Sequence, residues 1–339
     1  MKAIKVIKPL EVEITEIERP MTCGHDEVIV RVTAGGICGS DIGIYKGTNS
    51  LATYPRIIGH EFGGYIEVVG NNVQDLQVGQ QVAVDPVVSC GHCYACSIDR
   101  ANVCSTLEVI GVHRDGGFRQ YVAVPAKNIH LFHKPMDPGL VCMVEPFSIG
   151  MEVNERASIS KSDKVLIMGS GPIGMCILQV AKSRGAQVIV SDIVESRLER
   201  AKDMGADEVV NSLKENLEAR VKVFAGVDGI PVVVDTACQT FTFEQSVQLA
   251  SPAGRIVVLG LVNKTSNICM ADITKKELTI LGSRLSNNQF DEVIEGFENG
   301  SLHPEKLRTD TFNYLDVKEA LKRNIEHQNE VLKITLSFE

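Results

Sequence analysis

The feature that most constrains this chain is a run of four cysteines, Cys90-x2-Cys93-x2-Cys96-x7-Cys104. It places four thiols within 15 residues, in a stretch with little strand pattern, so something other than an apolar core must hold this lobe. Zinc suits the set. It has no redox chemistry, takes thiolates tetrahedrally at about 2.3 Å, and in structural sites is commonly closed by four of them. An iron–sulfur cluster is the competing reading. The bacterial ferredoxin run has about three residues before its fourth cysteine and then proline, whereas here seven residues intervene and Ser105 follows. Four thiolates leave no open position for a substrate, so a zinc ion here holds structure. His92, inside the lobe, reads as a solvated loop residue.

At 339 residues the chain exceeds what one core usually supports, which favours two domains. A formal net charge of −9 argues against a nucleic-acid footprint or a polybasic membrane patch, and the lack of tryptophan leaves no evident platform for bases or sugars. Met1–Pro9 is too short and too charged for a signal peptide. The most apolar stretch, Val165–Ala181, spans 17 residues and is broken by Gly169, Gly171, Pro172 and Gly174; a membrane span needs ~18–20 unbroken ones. Ten cysteines without a signal sequence suggest metal or catalytic use in a reducing compartment, and the cytoplasm is the expected location.

The first ~150 residues read as β-rich, with Val28, Val30 and Val32 alternating against Ile29, Arg31 and Thr33, and turns at Gly35-Gly36, Gly63-Gly64 and Gly116-Gly117. From about Asp163 the texture changes to short continuous apolar runs, Lys164–Met168, Gln187–Val190, Pro231–Val234, Arg255–Leu259 and Leu278–Leu281, separated by helical stretches such as Glu195–Met204. That alternation predicts a doubly wound parallel sheet. Phe290, Val293, Ile294 and Phe297 follow helical spacing with Gly300 as a stop. The last segment, Val331–Phe338, alternates with Leu332, Ile334, Leu336 and Phe338 on one face and is placed to rejoin the first sheet.

Gly169-Ser-Gly171-Pro172-Ile173-Gly174 follows one of the apolar runs and precedes a helical stretch, Met175–Ser183. In that setting the pattern is a dinucleotide fingerprint: a tight turn, close approach of pyrophosphate to backbone, and close helix–strand packing. The helix N-terminus favours the pyrophosphate charge. Asp192, 18 residues after Gly174, is placed to accept from the ribose hydroxyls of NAD and would repel the 2′-phosphate of NADP. Arg197 invites an NADP reading but lies further on, beside the expected adenine. NAD is the expected cofactor.

Cys38, in Gly36-Ile-Cys38-Gly-Ser40-Asp41, His60-Glu61, in Gly59-His60-Glu61-Phe-Gly63-Gly64, and Glu145, in Val144-Glu145-Pro146, make no site by spacing alone. A catalytic zinc needs about three protein ligands and an open position, and only the fold can bring these together. Taken with Asp85-Pro-Val-Val-Ser-Cys90-Gly-His-Cys93-Tyr-Ala-Cys96, Gly111-Val-His113-Arg-Asp-Gly-Gly-Phe118 and Glu145-Pro-Phe147, they make the chain resemble the zinc-containing medium-chain alcohol dehydrogenases over essentially its whole length. The likeness is to the polyol branch, with sorbitol, threonine and hexonate dehydrogenases. It implies an α/β architecture: a GroES-like β-rich catalytic domain over residues 1–148, completed by 285–339, and a Rossmann NAD-binding domain over 149–284. It also implies two zincs per chain, with Cys38 and His60 as ligands of the catalytic one and Glu61 or Glu145 as the third. Ser40 would bond the reacting oxygen and pass its proton on. The reaction implied is zinc-assisted hydride transfer from a secondary hydroxyl of a small polyol or sugar acid to NAD, in a homodimer or homotetramer.

Two departures from the family pattern stand out. Gly43 occupies the place where the family commonly has a relay histidine, five residues after the cysteine ligand, and its hydrogen cannot accept a proton. Cys238, in Asp235-Thr-Ala237-Cys238, stands where many relatives have glycine, and reads as a packing variant. Arg284, after the last apolar run, is a candidate for the nicotinamide side of the cofactor site. His113 is a candidate pocket residue, and Asp41 a carboxylate orienting the metal ligands from outside. An anionic sugar acid would need a cation such as Arg56, Arg114 or Arg284. Cys23, Cys142, Cys176 and Cys269 read as packing residues. Two alternatives remain: a catalytically weak nucleotide-sensing member of the same fold, which Gly43 supports, and an NADPH-linked reductase, against which the zinc-type residues argue.

Overall fold

Strand Glu27–Ile37 organises the β-rich part of the chain. It pairs antiparallel with Glu61–Val69, Tyr121–Pro125 and the C-terminal strand Lys333–Ser337. Strand Lys333–Ser337 in turn pairs with Arg308–Asn313, and Gln81–Val84 and Ile129–Leu131 extend the other edge, giving seven strands in all. The alternation of Val28, Val30 and Val32 predicts one buried face, yet Ile29 and Thr33 are buried as well. Beyond its first residue, both faces of this strand are therefore covered by packing, apart from the partly exposed Arg31. A smaller sheet of Lys2–Lys8, Glu11–Glu16 and Arg56–Ile57 accompanies it. The computed structural model describes residues 1–339, which divide into two units, Met1–Glu145 with Ser286–Glu339, and Pro146–Leu285.

Antiparallel register does the positioning in the first unit. Gly36 lies opposite Glu61 on one side and opposite Thr335 on the other. The residues just beyond, Cys38, His60 and Lys333, are therefore delivered to the same end of the sheet from three separate parts of the chain. Gly36 is needed for this approach: a Cβ there would stand 2.2 Å from Glu61 Oε2. Cys38 then caps helix Gly39–Lys46, whose Asp41 side chain accepts from the Cys38 backbone N–H.

The second unit is a six-stranded parallel sheet in the spatial order Glu208–Asn211, Gln187–Asp192, Lys164–Met168, Ile230–Asp235, Ala250–Val258, Thr279–Gly282. The apolar runs are continuous because both faces are covered; Leu166, Ile189, Val233 and Ile256 are fully buried, each contributing about 1.5–3 kcal/mol relative to exposure. Chain order reverses at Lys164–Met168, and ligands of such sheets bind outside the carboxyl ends of the strands at this point. Among the cysteines expected to pack, Cys142 and Cys176 are buried, but Cys269 is exposed and Cys23 only partly covered, so packing does not explain those two.

Gly36→Ala should lower stability by about 1–3 kcal/mol, the usual cost of forcing extra volume into a packed site. Thermal unfolding of the variant beside the parent protein checks this; an unchanged midpoint would show that Glu61 can yield without cost.

Candidate metal centres and nucleotide groove

The four cysteines of the lobe come together. Sγ–Sγ separations are 3.5 Å for Cys93–Cys96, 3.8 Å for Cys93–Cys104 and 3.5 Å for Cys90–Cys104. All four sulfurs lie within 4.8 Å of one another. Tetrahedral zinc at about 2.3 Å from each sulfur requires ~3.8 Å between sulfurs, so the donor set fits a structural zinc ion. Backbone N–H groups favour thiolate here: those of Ser105 and Cys96 lower the Cys93 thiol to about 5, and those of His92 and Cys93 lower Cys90. Burial and the neighbouring sulfurs push Cys96 up to about 11; a cation among the four reverses that. His92 is exposed and bonds the Cys90 carbonyl through Nδ1 (2.9 Å), outside the set.

A second donor cluster forms at the sheet end, where ligand atoms of Cys38, His60 and Glu61 lie within 4.8 Å of one another. Asp41 is fully buried and straps the two ligand-bearing turns together. Its Oδ2 accepts from Cys38 N–H (2.9 Å) and its Oδ1 from Gly59 N–H (3.2 Å). His60 Nδ1 is buried without a hydrogen bond, 3.6 Å from Asp41 Oδ1, while Nε2 lies 3.2 Å from Ser40 Oγ. Burial opposes a charged imidazole, yet Asp41 and Cys38 outweigh it and hold His60 well above the usual range. Surroundings that favour positive charge to this degree, beside a thiol and an imidazole, fit a divalent zinc ion.

Glu61 does not present a free carboxylate. Lys333 Nζ, on a residue only 2 % exposed, donates to both of its oxygens, at 2.6 and 2.7 Å, and also lies 3.4 Å from the Ile37 carbonyl. Glu145 is also buried. Burial raises its carboxyl to about 8; His60 pulls it down and Glu61 pushes it up, so it sits within the same electrostatic field although outside the closest cluster. Lys333 is the site residue that the sequence pattern hid. It stands opposite Leu332 and Ile334 in the alternation, where a lysine reads as solvent-facing. Only a strand buried on both faces turns it inward.

Gly43 is partly exposed, with room for a Cβ at ordinary contact distance. The Gly43 carbonyl accepts from the backbone N–H groups of Thr48 and Asn49, and a Cβ at position 43 would contact Asn49 Cβ at 3.4 Å. His113 Nδ1 accepts from Val109 N–H (2.9 Å), which leaves Nε2 as its protonated nitrogen. Two of the cationic candidates are already paired: Arg56 with Asp115 (3.2 Å) and Thr53 (2.6 Å), and Arg114 with Glu108 (3.7 Å).

In the second unit a groove of about 1100 Å3 is lined by Gly169, Gly171, Pro172, Ile173, Gly174, Asp192 and Arg197. Gly169 has φ +103°, and a Cβ on Gly174 would stand 2.1 Å from the Gly169 carbonyl, while the space beside Gly171 is open. Asp192 is held by four donors: Ser170 N–H and Oγ–H to Oδ2 (2.7 Å each), Ile193 N–H and Val194 N–H to Oδ1 (2.7 and 3.0 Å). Burial works against its charge, but these bonds prevail and keep the carboxyl below its usual range. The groove and its fixed carboxylate fit a dinucleotide. Arg284, half-buried beyond the last strand, does not line the groove. Cys238 has φ +54° and packs on Gly260, where a Cβ would meet its sulfur at 2.6 Å; burial pushes its thiol up to about 11, as suits a packing residue.

Sequence comparison agrees with this geometry. Residues 24–135 match the alcohol dehydrogenase GroES-like domain and residues 172–299 the zinc-binding dehydrogenase domain. The chain belongs to the zinc-type medium-chain alcohol dehydrogenase family, with a GroES-like domain and a Rossmann domain, and is a dehydrogenase of that family. It is 44% identical to the starvation-sensing protein RspB of Escherichia coli K12, over 100% of this chain and 99% of that one. It is 32% identical to the L-galactonate-5-dehydrogenase of the same organism, covering 98% and 97%. A crystal structure of rspB from E. coli CFT073, complexed with cofactor NADH, is similar with a TM-score of 0.94 at 44% identity, covering 100% and 99%. No helix is long and apolar enough to cross a membrane.

Lys333→Met should destabilise the metal-free protein by about 3–5 kcal/mol, because it leaves Glu61 buried and unpaired. Adding Glu61→Gln should recover most of the loss, and a double-mutant cycle measures the coupling. For the lobe, Cys93 is thiolate in the folded chain well below the value of 9.0 usual for a free thiol. Its stabilising contribution is full above that value, shrinks as pH falls, and is gone below about 5. Zinc release followed with a chromogenic chelator should accelerate as pH falls, because protons compete with the metal for the thiolates; release independent of pH would contradict the ligand assignment.

Proposed function

We propose that this chain oxidises a secondary hydroxyl of a small polyol or sugar acid with NAD as hydride acceptor, using zinc at Cys38 and His60 and a second, structural zinc at Cys90, Cys93, Cys96 and Cys104. The observation that carries the reading is the cluster of Cys38, His60 and Glu61 in an environment that favours a cation. With both Glu61 oxygens on Lys333, Glu145 is the better third ligand, and Glu61 tunes the field around it. Burial and Glu61 hold the Glu145 carboxyl up, and a cation bound beside it would bring it down. A zinc ion there supplies Lewis acidity towards the substrate hydroxyl, and the dinucleotide supplies the redox chemistry.

The chain's own groups do the rest. Asp41 fixes the turns that carry Cys38 and His60, as carboxylates behind metal ligands do. The Ser40 hydroxyl, beside His60 Nε2, takes the substrate proton. No side-chain base follows it at Gly43, so water carries the proton onward. Asp192 accepts from the adenosine ribose, and its fixed negative charge excludes a 2′-phosphate. The galactonate relative supports a sugar-acid substrate, and the NADH bound in the rspB crystal structure supports NAD. The family likeness supports a homodimer or homotetramer.

A screen of NAD+ reduction across hexonates, pentonates and polyols, with metal analysis, tests the proposal. Two zincs per chain and turnover of one hexonate or polyol are expected. Full activity in metal-free protein would sink the zinc mechanism, and zinc and NAD binding without turnover would favour a nucleotide-sensing role. Asp192→Ala should raise KM for NAD+ by about 10–100-fold, the value of hydrogen bonds to a charged group, and narrow its preference over NADP+. An unchanged NAD+/NADP+ ratio of kcat/KM would remove Asp192 from cofactor selection.

A further inference from the structure

The groove of the second unit fits an anionic dinucleotide, yet the ionisable groups that line it are mostly acidic. Four carboxylates, Asp192, Glu215, Glu218 and Glu244, stand against one guanidinium, Arg197. Two of the four have local partners. Glu218 is paired with Lys222 (2.7 Å) across one helical turn, and Glu244 Oε1 accepts from Asn267 N–H (2.7 Å). Glu215 stands beside Asp192. Its Oε1 accepts from Asn211 N–H (3.3 Å), and Asn211 is the register partner of Asp192 on the neighbouring parallel strand, about 4.8 Å away. The chain then turns over the end of that strand, where Ser212 N–H donates to the Asp192 carbonyl (3.0 Å). Asp192 and Glu215 therefore border the same end of the groove.

Nearby cations do not cancel Glu215. Arg220 lies 3.4 Å from Glu215 Oε2, but it also donates to Glu208 at the shorter distance of 2.7 Å, so one positive charge serves two carboxylates. Lys214, next in sequence to Glu215, is engaged by Glu195 (2.6 Å). Even with Arg197 counted, this end of the groove keeps an excess of negative charge. A phosphate monoester carries about two negative charges near neutral pH. Beside such a wall it is repelled, whereas an uncharged ribose hydroxyl is not. Resting on the reading that Asp192 receives the adenosine ribose, we propose that Glu215 is a second selectivity-determining residue, whose carboxylate repels a 2′-phosphate and so helps restrict the groove to the dinucleotide that lacks one. Asp192 discriminates by contact and by charge. Glu215 is exposed and acts by charge alone, so its effect fades with salt.

The test measures binding rather than turnover, on the full zinc-loaded chain. Kd is compared for adenosine 5′-monophosphate and adenosine 2′,5′-bisphosphate, which differ by the 2′-phosphate alone. The parent protein should favour the monophosphate. Glu215→Gln should shift the ratio of the two Kd values towards the bisphosphate by about 3–10-fold at about 0.05 M salt. The shift should shrink below about twofold at about 1 M salt, where the Debye length is about 3 Å. Glu215→Asp, which keeps the charge, should keep the parent's discrimination. A ratio unchanged in Glu215→Gln, a shift indifferent to salt, or loss of discrimination in Glu215→Asp would overturn the proposal. So would a shift that disappears when Arg220→Gln is added, since that would assign it to a freed guanidinium. A parent protein that already prefers the bisphosphate would instead overturn the reading of Asp192 on which the proposal rests.

Discussion

The buried ion pair of Glu61 and Lys333 is the constraint on which the arrangement of the first unit turns. Two charges fully removed from water persist only if each satisfies the other, and Lys333 does so by reaching both Glu61 oxygens. The partners come from residues 272 apart in sequence, so the pair cannot form until the C-terminal strand is seated beside Glu27–Ile37. Its formation also decides what the neighbouring carboxylates can do. With Glu61 engaged, one thiol, Cys38, one imidazole, His60, and a second buried carboxyl, Glu145, share the remaining field of the site.

The two donor clusters illustrate different ways of building a metal site. The cysteine lobe is local. A short segment wraps its sulfurs to 3.5–3.8 Å separations, aided by backbone N–H groups that need only turns to point inward. The cluster at Cys38 is assembled across the sheet. It depends on antiparallel register, on Gly36 leaving room for Glu61, and on Asp41 fastening two turns. A local site survives many changes elsewhere in the fold; an assembled one inherits every error in strand pairing. That difference matches their division of labour, one holding structure and the other proposed to hold the reacting group.

Much of the fold was legible in the chain. Continuous apolar runs separated by helical stretches are what a parallel sheet covered on both faces must look like, and glycine at 169, 171 and 174 has steric reasons that a structure merely displays. The candidate site was only partly legible. Cys38, His60 and Glu145 carry no local signal, and it was likeness to a family that singled them out. Lys333 escaped because its strand alternates like a half-exposed one.

The sequence by itself determined the four-cysteine lobe and the dinucleotide fingerprint, because their geometry is fixed by residues a few positions apart and by the stereochemistry of glycine and thiolate. The tertiary structure alone decided that Glu61 belongs to Lys333, that Asp41 binds two distant turns, and that the apolar-looking strand Glu27–Ile37 is buried on both faces. Those outcomes depend on which strands become neighbours and on how deeply they are covered. Burial, by making an unpaired charge costly, then forces each ionised group to choose one partner.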